Sequence, residues 1–341
     1  MKKERNYAID VIKAIAIIGV LTIHTSSRAF DFPVGSYRWL YGLFWGVLAR
    51  ASVPVFFMCS GALLLEPNKS LSIKKLYTKN MLRIIVAMLF WAMAYKLYWM
   101  DNTGVSLRSL TQAALEILQF KQEFHLYYIH IMILVYIFLP ITRAYTKNAT
   151  KKQLQYFLAV WFVLGIFLPT MQSVCPALTL VGMPAYWLLN QAYAAIGYTV
   201  WGYYITAYPL KKRSIYLTGY AIGFGLSFIG TWVKSMQTGA LYQPLLEGMS
   251  IGVALMAAGV FGFIAAKKTP YGNTTLKVAV HLSKASFCVY LVHLFFLYTL
   301  DSIGISHQAY YIPALVIGIL AASLLVHLIL SKIPILNRWI L

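Results

Sequence analysis

Charged side chains are scarce in this 341-residue sequence, and acidic ones are the scarcest. Asp, Glu, Lys and Arg together make up 11% of the chain, only 9 residues are acidic, and hydrophobic residues make up 60%. A soluble domain carries roughly 25% charged residues. The low charged fraction indicates that most of this chain is not exposed to water. The composition excludes a water-soluble globular protein and predicts one membrane-embedded domain over residues 1–341.

Signatures of disulfide, metal and phosphate-loop chemistry are also missing. The three cysteines, Cys59, Cys175 and Cys288, form no disulfide framework because their number is odd, and their spacing suits no zinc site. His125 and His130 are five residues apart, not the four of a helical zinc pair. The chain has neither a Gly-rich phosphate loop nor a nucleophile elbow. We therefore expect no metal cofactor and no nucleic-acid partner.

Long hydrophobic runs are what the chain has instead. A run of about 20 residues can cross a bilayer as a helix, and the runs follow one another to the end of the sequence. We predict an all-α fold, a polytopic membrane bundle of about ten transmembrane helices. They are placed at Tyr7–Ser26, Leu40–Leu65, Arg83–Met100, His125–Tyr145, Leu154–Gln172, Tyr186–Tyr208, Ile215–Lys234, Leu245–Ala266, Ser283–Leu300 and Tyr310–Ser331.

The basic residues give the orientation. The net charge is +20, but the surplus sits in short segments between apolar runs, where it orients a membrane protein instead of binding nucleic acid. With the N-terminus inside, the inner segments hold 20 Lys and Arg residues and the outer segments hold 5. This asymmetry predicts that both termini are cytoplasmic.

One segment is too polar to span the bilayer. Residues Ser106 to Gln122 place apolar side chains at a helical period. The pattern predicts a short amphipathic helix that lies on the outer interface or dips in beside the bundle.

The first predicted helix carries three ionisable residues at membrane depth, where such groups are usually paired or functional. Asp10 and Lys13 are three residues apart and can pair. Lys13 and His24 are eleven apart, which puts them on one face about 16 Å apart along the axis. In the alternative interpretation, Asp10 and Lys13 only reach the inner headgroups and His24 marks the helix end.

The second predicted helix carries Arg50 in the middle third of its span, so the arginine needs an anionic partner or a water-filled cavity. Pro54 leaves the carbonyl of Arg50 without its helical donor. Ser60-Gly61 permits close packing. Together these residues predict the wall of a pocket. A proline-kinked packing helix with a structurally paired arginine is the alternative.

Polar side chains also recur at the outer end of the fourth helix, in Glu123, His125 and Tyr127, and on one face of the ninth, where Tyr290 precedes His293. For each of these residues the sequence favours a packing role or, for Tyr127, a place in an aromatic belt at the interface. The functional alternative is that they line the same cavity as His24.

With these residues in view, the chain resembles the acyltransferase 3 family, and within it the O-acetyltransferase branch of enterobacterial common antigen. The matching segments are Asp10-x-x-Lys13 followed by His24, Ser52-x-Pro54-x-Phe56-Phe57-x-x-Ser60-Gly61, His125-Leu126-Tyr127-Tyr128 and Ser286-x-x-x-Tyr290-x-x-His293. Two positions depart from the family pattern. Lys13 replaces an arginine and loses its bidentate fork, and Tyr127 replaces a tryptophan.

The resemblance implies a membrane O-acyltransferase in the bacterial inner membrane. It would move acetyl from cytoplasmic acetyl-CoA to a hydroxyl of an envelope glycan or lipid-linked sugar. His24 would be the general base, Glu123 would orient it, and Tyr290 or His125 would stabilise the oxyanion. The remaining candidates are, for the donor, Lys13, Arg50, Ser52, Ser60, Lys75 and Lys79, and for the substrate, Asp10, Tyr127 and His293.

Two other classes of function fit the same residues. A transporter of a small polar solute, such as an amino acid, or of a lipid-linked sugar would use the polar stripe as a proton relay. A structural or sensing membrane protein would have no turnover. His24 together with Arg50 and the Ser-Gly segment favours the enzyme.

Overall fold

The computed structural model describes residues 5–68, 70–100, 104–267, 270–305 and 311–341. In these ranges the regular backbone is entirely helical, which confirms the predicted all-α fold. Tyr310, the predicted start of the tenth span, lies outside them, as do four of the counted lysines, Lys2, Lys3, Lys69 and Lys268. The α-helices are α1 (Tyr7–Ser26), α2 (Tyr37–Ala49), α3 (Ser52–Leu64), α4 (Ile73–Lys75), α5 (Leu82–Met100), α6 (Leu107–Leu118), α7 (Tyr127–Asn148), α8 (Lys151–Phe162), α9 (Leu168–Val174), α10 (Gln191–Ala207), α11 (Ser214–Thr238), α12 (Ile251–Ala265), α13 (Asn273–Ser302), α14 (Ile312–Leu330) and α15 (Pro334–Trp339).

Eight helical stretches of the described chain are long and apolar enough to cross a membrane: Tyr7–Asp31, Tyr37–Leu64, Ile73–Met100, Phe124–Asn148, Lys151–Val174, Gln243–Ala265, Asn273–Ser302 and Ile312–Leu330. The two other predicted spans fall on α10, which has 17 residues, and α11, which has 25. Each predicted span therefore has a helix, and the count of ten remains a prediction. Two boundaries were wrong, because α10 begins at Gln191, where Asn190 caps it, and α13 begins at Asn273.

The second span is broken where the sequence predicts it. α2 ends at Ala49 and α3 begins at Ser52. Pro54 has no N–H to donate to the carbonyl of Arg50. The hydroxyl of Ser52 donates to the carbonyl of Ala49 at 2.6 Å, which satisfies one of the acceptors at the break. Arg50 is thus held in a short non-α-helical turn between two helices.

Close approach of helices needs small residues, as at Gly61. A Cβ added at Gly61 would lie 1.7 Å from the backbone carbonyl oxygen of Thr199 in α10. On α1, a Cβ at Gly19 would lie 2.0 Å from Oγ of Ser52. Both contacts let neighbouring backbones pack more closely than any side chain would allow.

Helix α1 is the centre of the bundle. It packs against α2, α3, α12, α13 and α14. Its side chains enter two apolar clusters, one with Ile12 and Ala16 and the other with Ile17 and Leu21. The polar residues of α1 are therefore surrounded by protein on several sides, as functional residues at membrane depth require.

The predicted amphipathic segment forms α6. Ser106 and Ser109 close a capping box at its start. At its end, Phe120 has a positive φ of 61°, and the N–H of Lys121 bonds back to the carbonyl of Glu116 at 2.8 Å. Lys96 of α5 donates to Glu116 at 2.5 Å, so a short charge-assisted bond fastens α6 to the third span.

Candidate active site

Three cavities adjoin one another along the inside of the bundle. The first, of about 410 Å³, is lined by His24 near the end of α1. The second, of about 210 Å³, is lined by Lys13 and Ser60. The third, of about 630 Å³, is lined by Lys13 together with Lys79. We call them the histidine cavity, the middle cavity and the basic cavity.

The cavities share walls. Val20, Val53, Tyr128 and Tyr290 line both the histidine and the middle cavity. Lys13, Tyr128, Tyr136 and Phe287 line both the middle and the basic cavity. The path therefore follows α1 from Lys13 to His24, a distance of about 16 Å along the axis at 1.5 Å per residue. The polar stripe predicted from the sequence faces this path.

Both ends of the described chain meet at the basic cavity. Lys13, early in α1, and Arg338, in α15 at the other end of the chain, line the same wall. The first half of α1 and α15 therefore lie at the same end of the bundle. This agrees with the predicted even number of spans, while the side of the membrane on which they lie remains a prediction.

The histidine cavity is built around His24, whose side chain is half-buried. Its imidazole lies beside His293 of α13, with ring centroids 5.0 Å apart, and beside Phe124, at 5.3 Å. His293 in turn lies beside His125, at 5.4 Å. Three predicted residues from three elements are thus brought together, and of these His24 and His125 line the cavity while His293 lies behind them.

The other two histidines are enclosed. His125 has an exposed fraction of 0% and His293 of 1%. Nδ1 of His293 lies 2.7 Å from the backbone carbonyl of Tyr290. Because a carbonyl only accepts hydrogen bonds, this nitrogen carries the hydrogen, and Nε2 keeps its lone pair. Among the described residues, Nε2 of His293 has no hydrogen-bond partner. The ring of His293 is covered by protein and lies beside His24, and its contact with substrate stays a prediction.

Tyr290 has a different task from the predicted one. Its hydroxyl donates to the backbone carbonyl of His125, at the turn that precedes α7. The bond ties α13 to the start of α7 and uses the hydrogen that an oxyanion donor would need. Tyr290 still lines the histidine cavity with its ring.

Arg50 also lines the histidine cavity. Its side chain is half-buried, and among the described residues its Nε has no hydrogen-bond partner. Tyr127 and Glu247 line the same cavity and interact with the guanidinium electrostatically. The lining of the basic cavity does not include Arg50. The structure places Arg50 at the cavity that His24 lines, and its role in binding the donor stays a prediction.

Glu123 is held elsewhere. Its carboxylate accepts hydrogen bonds from Nε1 of Trp99 at 2.6 Å and from the hydroxyl of Tyr298 at 2.9 Å. Within the described chain, no hydrogen bond joins it to His24. The structure does not give Glu123 the predicted role of orienting His24, because two aromatic donors already occupy the carboxylate.

The other predicted residues divide between the cavities and their surroundings. Asp10 forms its ion pair with Arg5, at 2.6 Å, and not with Lys13. Ser52 packs against Gly19 and lines a groove on the other side of α1. Lys75 is exposed and lines none of the three cavities. Lys79 and Ser60 do line the path.

Several lining residues were not predicted. Gln243 and Gly248 border the histidine cavity, and Arg83, Asn337 and Trp339 border the basic cavity. Arg83 and Arg338 entered the sequence argument only as orienting charges. The unusual combination of asparagine, arginine and tryptophan in a short segment after the last span is the signal that could have found α15.

Comparison with known families agrees with this arrangement. Residues 6–330 match the family Acyl_transf_3, described as an acyltransferase domain. The chain belongs to the acyltransferase 3 family. The match covers nearly all of the chain and, apart from the α15 residues that border the basic cavity, the lining of the three cavities. The protein is a multi-pass membrane acyltransferase. Neither the curated proteins nor the solved structures contain a match to this chain.

Proposed function

We propose that this acyltransferase moves an acetyl group from acetyl-CoA to a hydroxyl of a cell-envelope glycan or lipid-linked sugar in the inner membrane of a bacterium. The basic end of the bundle then faces the cytoplasm. One observation carries the proposal: the half-buried imidazole of His24 lies where a cavity with hydrogen-bonding side chains adjoins a path that leads to a cluster of cations.

The donor fits the path from the basic end. Its phosphates are anionic and suit the lysines and arginines of the basic cavity. Its pantetheine arm is narrow and contains both apolar groups and amides. The middle cavity has matching side chains, since it is lined by Phe56 and Phe287 and by Ser60 and Ser286. The thioester then reaches the boundary near Tyr128 and Tyr290, next to His24.

The acceptor fits the histidine cavity. Amide and carboxylate groups of Gln191, Gln243 and Glu247 line it, together with the aromatic side chain of Tyr127. Gln191 and Glu247 are exposed to the cavity. Such groups bind sugar hydroxyls by donating and accepting hydrogen bonds, and an aromatic ring packs against the apolar face of a sugar.

The chemistry is a general-base acyl transfer. His24 takes the proton from the acceptor hydroxyl while the hydroxyl oxygen bonds to the thioester carbon. Arg50 stabilises the negative charge on the carbonyl oxygen as the tetrahedral intermediate forms. The carbon–sulfur bond then breaks, and the CoA thiolate takes the proton from His24. The ester and free CoA leave.

His293 supports this step. When His24 carries the proton, its second N–H needs an acceptor in a region that excludes water. Nε2 of His293 is a lone-pair nitrogen in the neighbouring ring, kept in that state by the bond from Nδ1 to Tyr290. It replaces the carboxylate that orients the histidine of a catalytic triad.

The acceptor class follows the resemblance to the O-acetyltransferase of enterobacterial common antigen. In the test, membranes are prepared from cells that produce the protein. These membranes are incubated with acetyl-CoA that carries a label in its acetyl group. Label in the glycan and glycolipid fraction from the wild type, and none from His24→Ala at equal protein level, supports the proposal. Equal labelling by both proteins would overturn it.

A further inference from the structure

The basic cavity holds four cationic side chains from separate elements. Lys13 is on α1, Lys79 is on the turn that precedes α5, Arg83 is on α5, and Arg338 is on α15. Among the described residues that line this cavity, none is Asp or Glu. Like charges that share a cavity repel one another, so the arrangement suits an anion with several charges.

Aromatic and amide side chains complete the cavity. Trp339 and Tyr136 contribute rings, and Asn80 and Asn337 contribute amides. The guanidinium of Arg338 lies over the ring of Trp339, 5.3 Å from its centroid. Stacking rings and amides recognise a purine base, while guanidinium groups recognise phosphates. The ligand chemistry is that of a nucleotide with more than one phosphate.

Helix α15 is fastened in place. Ile340 and Leu341, which follow it, each have an exposed fraction of only 4%. Nε1 of Trp91 in α5 donates to the carbonyl of Ile340 at 3.1 Å. Segments near a chain end are usually poorly ordered unless something ties them down. Here the ties hold Asn337, Arg338 and Trp339 against the cavity.

The opposite wall has an unusual backbone. Residues Leu76–Met81 form a π-helical turn, and Thr78, Lys79 and Asn80 of that turn line the cavity. π-Helical turns within helices are rare and occur frequently at functional sites, because the extra residue redirects side chains. This turn directs three consecutive polar side chains toward the cavity that α15 closes.

We propose that α15 and the π-helical turn form a nucleotide site for the 3′-phosphoadenosine diphosphate half of the acyl donor. Arg338, Arg83 and Lys79 bind its phosphates, and Trp339 stacks on the adenine. The proposal rests on the proposed function, since it assigns residues to the donor of that reaction. It adds α15, which lies beyond the matched family region of residues 6–330.

The test compares two donors that differ only in the nucleotide. Steady-state turnover is measured with acetyl-CoA and with S-acetylpantetheine for the wild type, Arg338→Gln and Trp339→Leu in nanodiscs. Lys332→Gln is the matched control, an exposed lysine of the same end that lies outside the cavity lining. We expect KM for acetyl-CoA to rise about tenfold in the two α15 variants, because Arg338→Gln loses a contact to phosphate and Trp339→Leu loses the stacked base. Their turnover of S-acetylpantetheine stays at the wild-type level.

Competition gives a second measurement. Adenosine 3′,5′-bisphosphate should inhibit the wild type and Lys332→Gln with acetyl-CoA as donor, and should inhibit Trp339→Leu at least tenfold more weakly. An unchanged KM and unchanged inhibition in the α15 variants would overturn the proposal while the enzyme activity stands. An equal loss of turnover with both donors would also overturn it, because α15 would then be only structural. If the wild type uses neither donor, the proposed function itself fails.

Discussion

The imidazoles of His24 and His293 lie with their ring centroids 5.0 Å apart, and the hydrogen bond from Nδ1 of His293 to Tyr290 leaves a lone pair on the other ring nitrogen. The half-buried ring faces the cavity and the fully buried ring stands behind it. In the proposed mechanism this relationship supplies a base and a group that positions it, in a region where a carboxylate would be costly to bury.

Replacing His293 by Phe keeps a ring in the core but removes the acceptor. We expect kcat to fall about 10- to 100-fold, which corresponds to the loss of one hydrogen bond to a charged group. The KM for acetyl-CoA should be unchanged. His130→Phe is the control, since His130 bonds to Gln122 and lines a separate apolar pocket. A rise in KM with kcat intact would contradict the positioning role.

Arg50→Gln removes the cation that stabilises the thioester carbonyl oxygen in the proposed mechanism. The loss of one donor to an oxyanion lowers kcat by about 10²–10³-fold, and Arg50→Lys should recover only part of it because lysine lacks the planar fork. KM for acetyl-CoA should stay near the wild-type value, as Arg50 lines the histidine cavity. Arg108→Gln on α6 is the control, because it removes one positive charge outside the histidine cavity; its kcat should stay at the wild-type value. If only the KM for the donor changed, Arg50 would bind phosphate after all.

The sequence predicts the helical bundle and the central path because both depend on local patterns. Apolar length places the spans, Pro54 places the break, and the spacing of Lys13 and His24 places the stripe. The partners of polar groups depend on distant residues and were predicted less well. Glu123 binds Trp99 and Tyr298, 24 and 175 residues away in sequence, and no local pattern shows either contact. Asp10 pairs with Arg5, five residues away, whereas the three-residue spacing had pointed to Lys13.

The role of α15 was missed for the same reason. It is six residues long and too short for a periodic signal. The bond from Trp91 to Ile340 and the packing of Ile340 and Leu341 in an apolar cluster, both between residues far apart in sequence, bring it to the basic cavity.

Gly61→Ala tests the close approach of α3 and α10. The new methyl group would meet the carbonyl of Thr199, and overpacking of this kind costs about 1–3 kcal/mol or more. We expect a lower midpoint of thermal unfolding in detergent. Gly225→Ala is the matched control, a helical glycine with no atom within 4 Å of the added Cβ; it should unfold at the same temperature or higher. Equal midpoints for both variants would refute the packing described.

The ion pair that holds α6 should depend on pH. The hydrogen bond from Lys96 lowers the pKa of the Glu116 carboxyl below its usual value. The pair therefore stabilises the docked helix fully above the ordinary glutamate pKa of about 4.3, and the contribution is lost as pH falls through the lowered value. Hydrogen exchange of Leu107–Leu118 should quicken there, after correction for the intrinsic pH dependence. Glu116→Gln should abolish this step, and a step that persists in the variant would rule out the pair as its cause.

The most direct test of the central claim measures acetyl-CoA binding and CoA release by the purified protein in nanodiscs, for the wild type and for His24→Ala. The account predicts that both proteins bind acetyl-CoA with the same affinity, and that His24→Ala releases CoA about 10²–10⁴-fold more slowly, the usual contribution of a general base. Wild-type protein that is folded but shows no saturable binding, or His24→Ala that releases CoA at the wild-type rate, would contradict it.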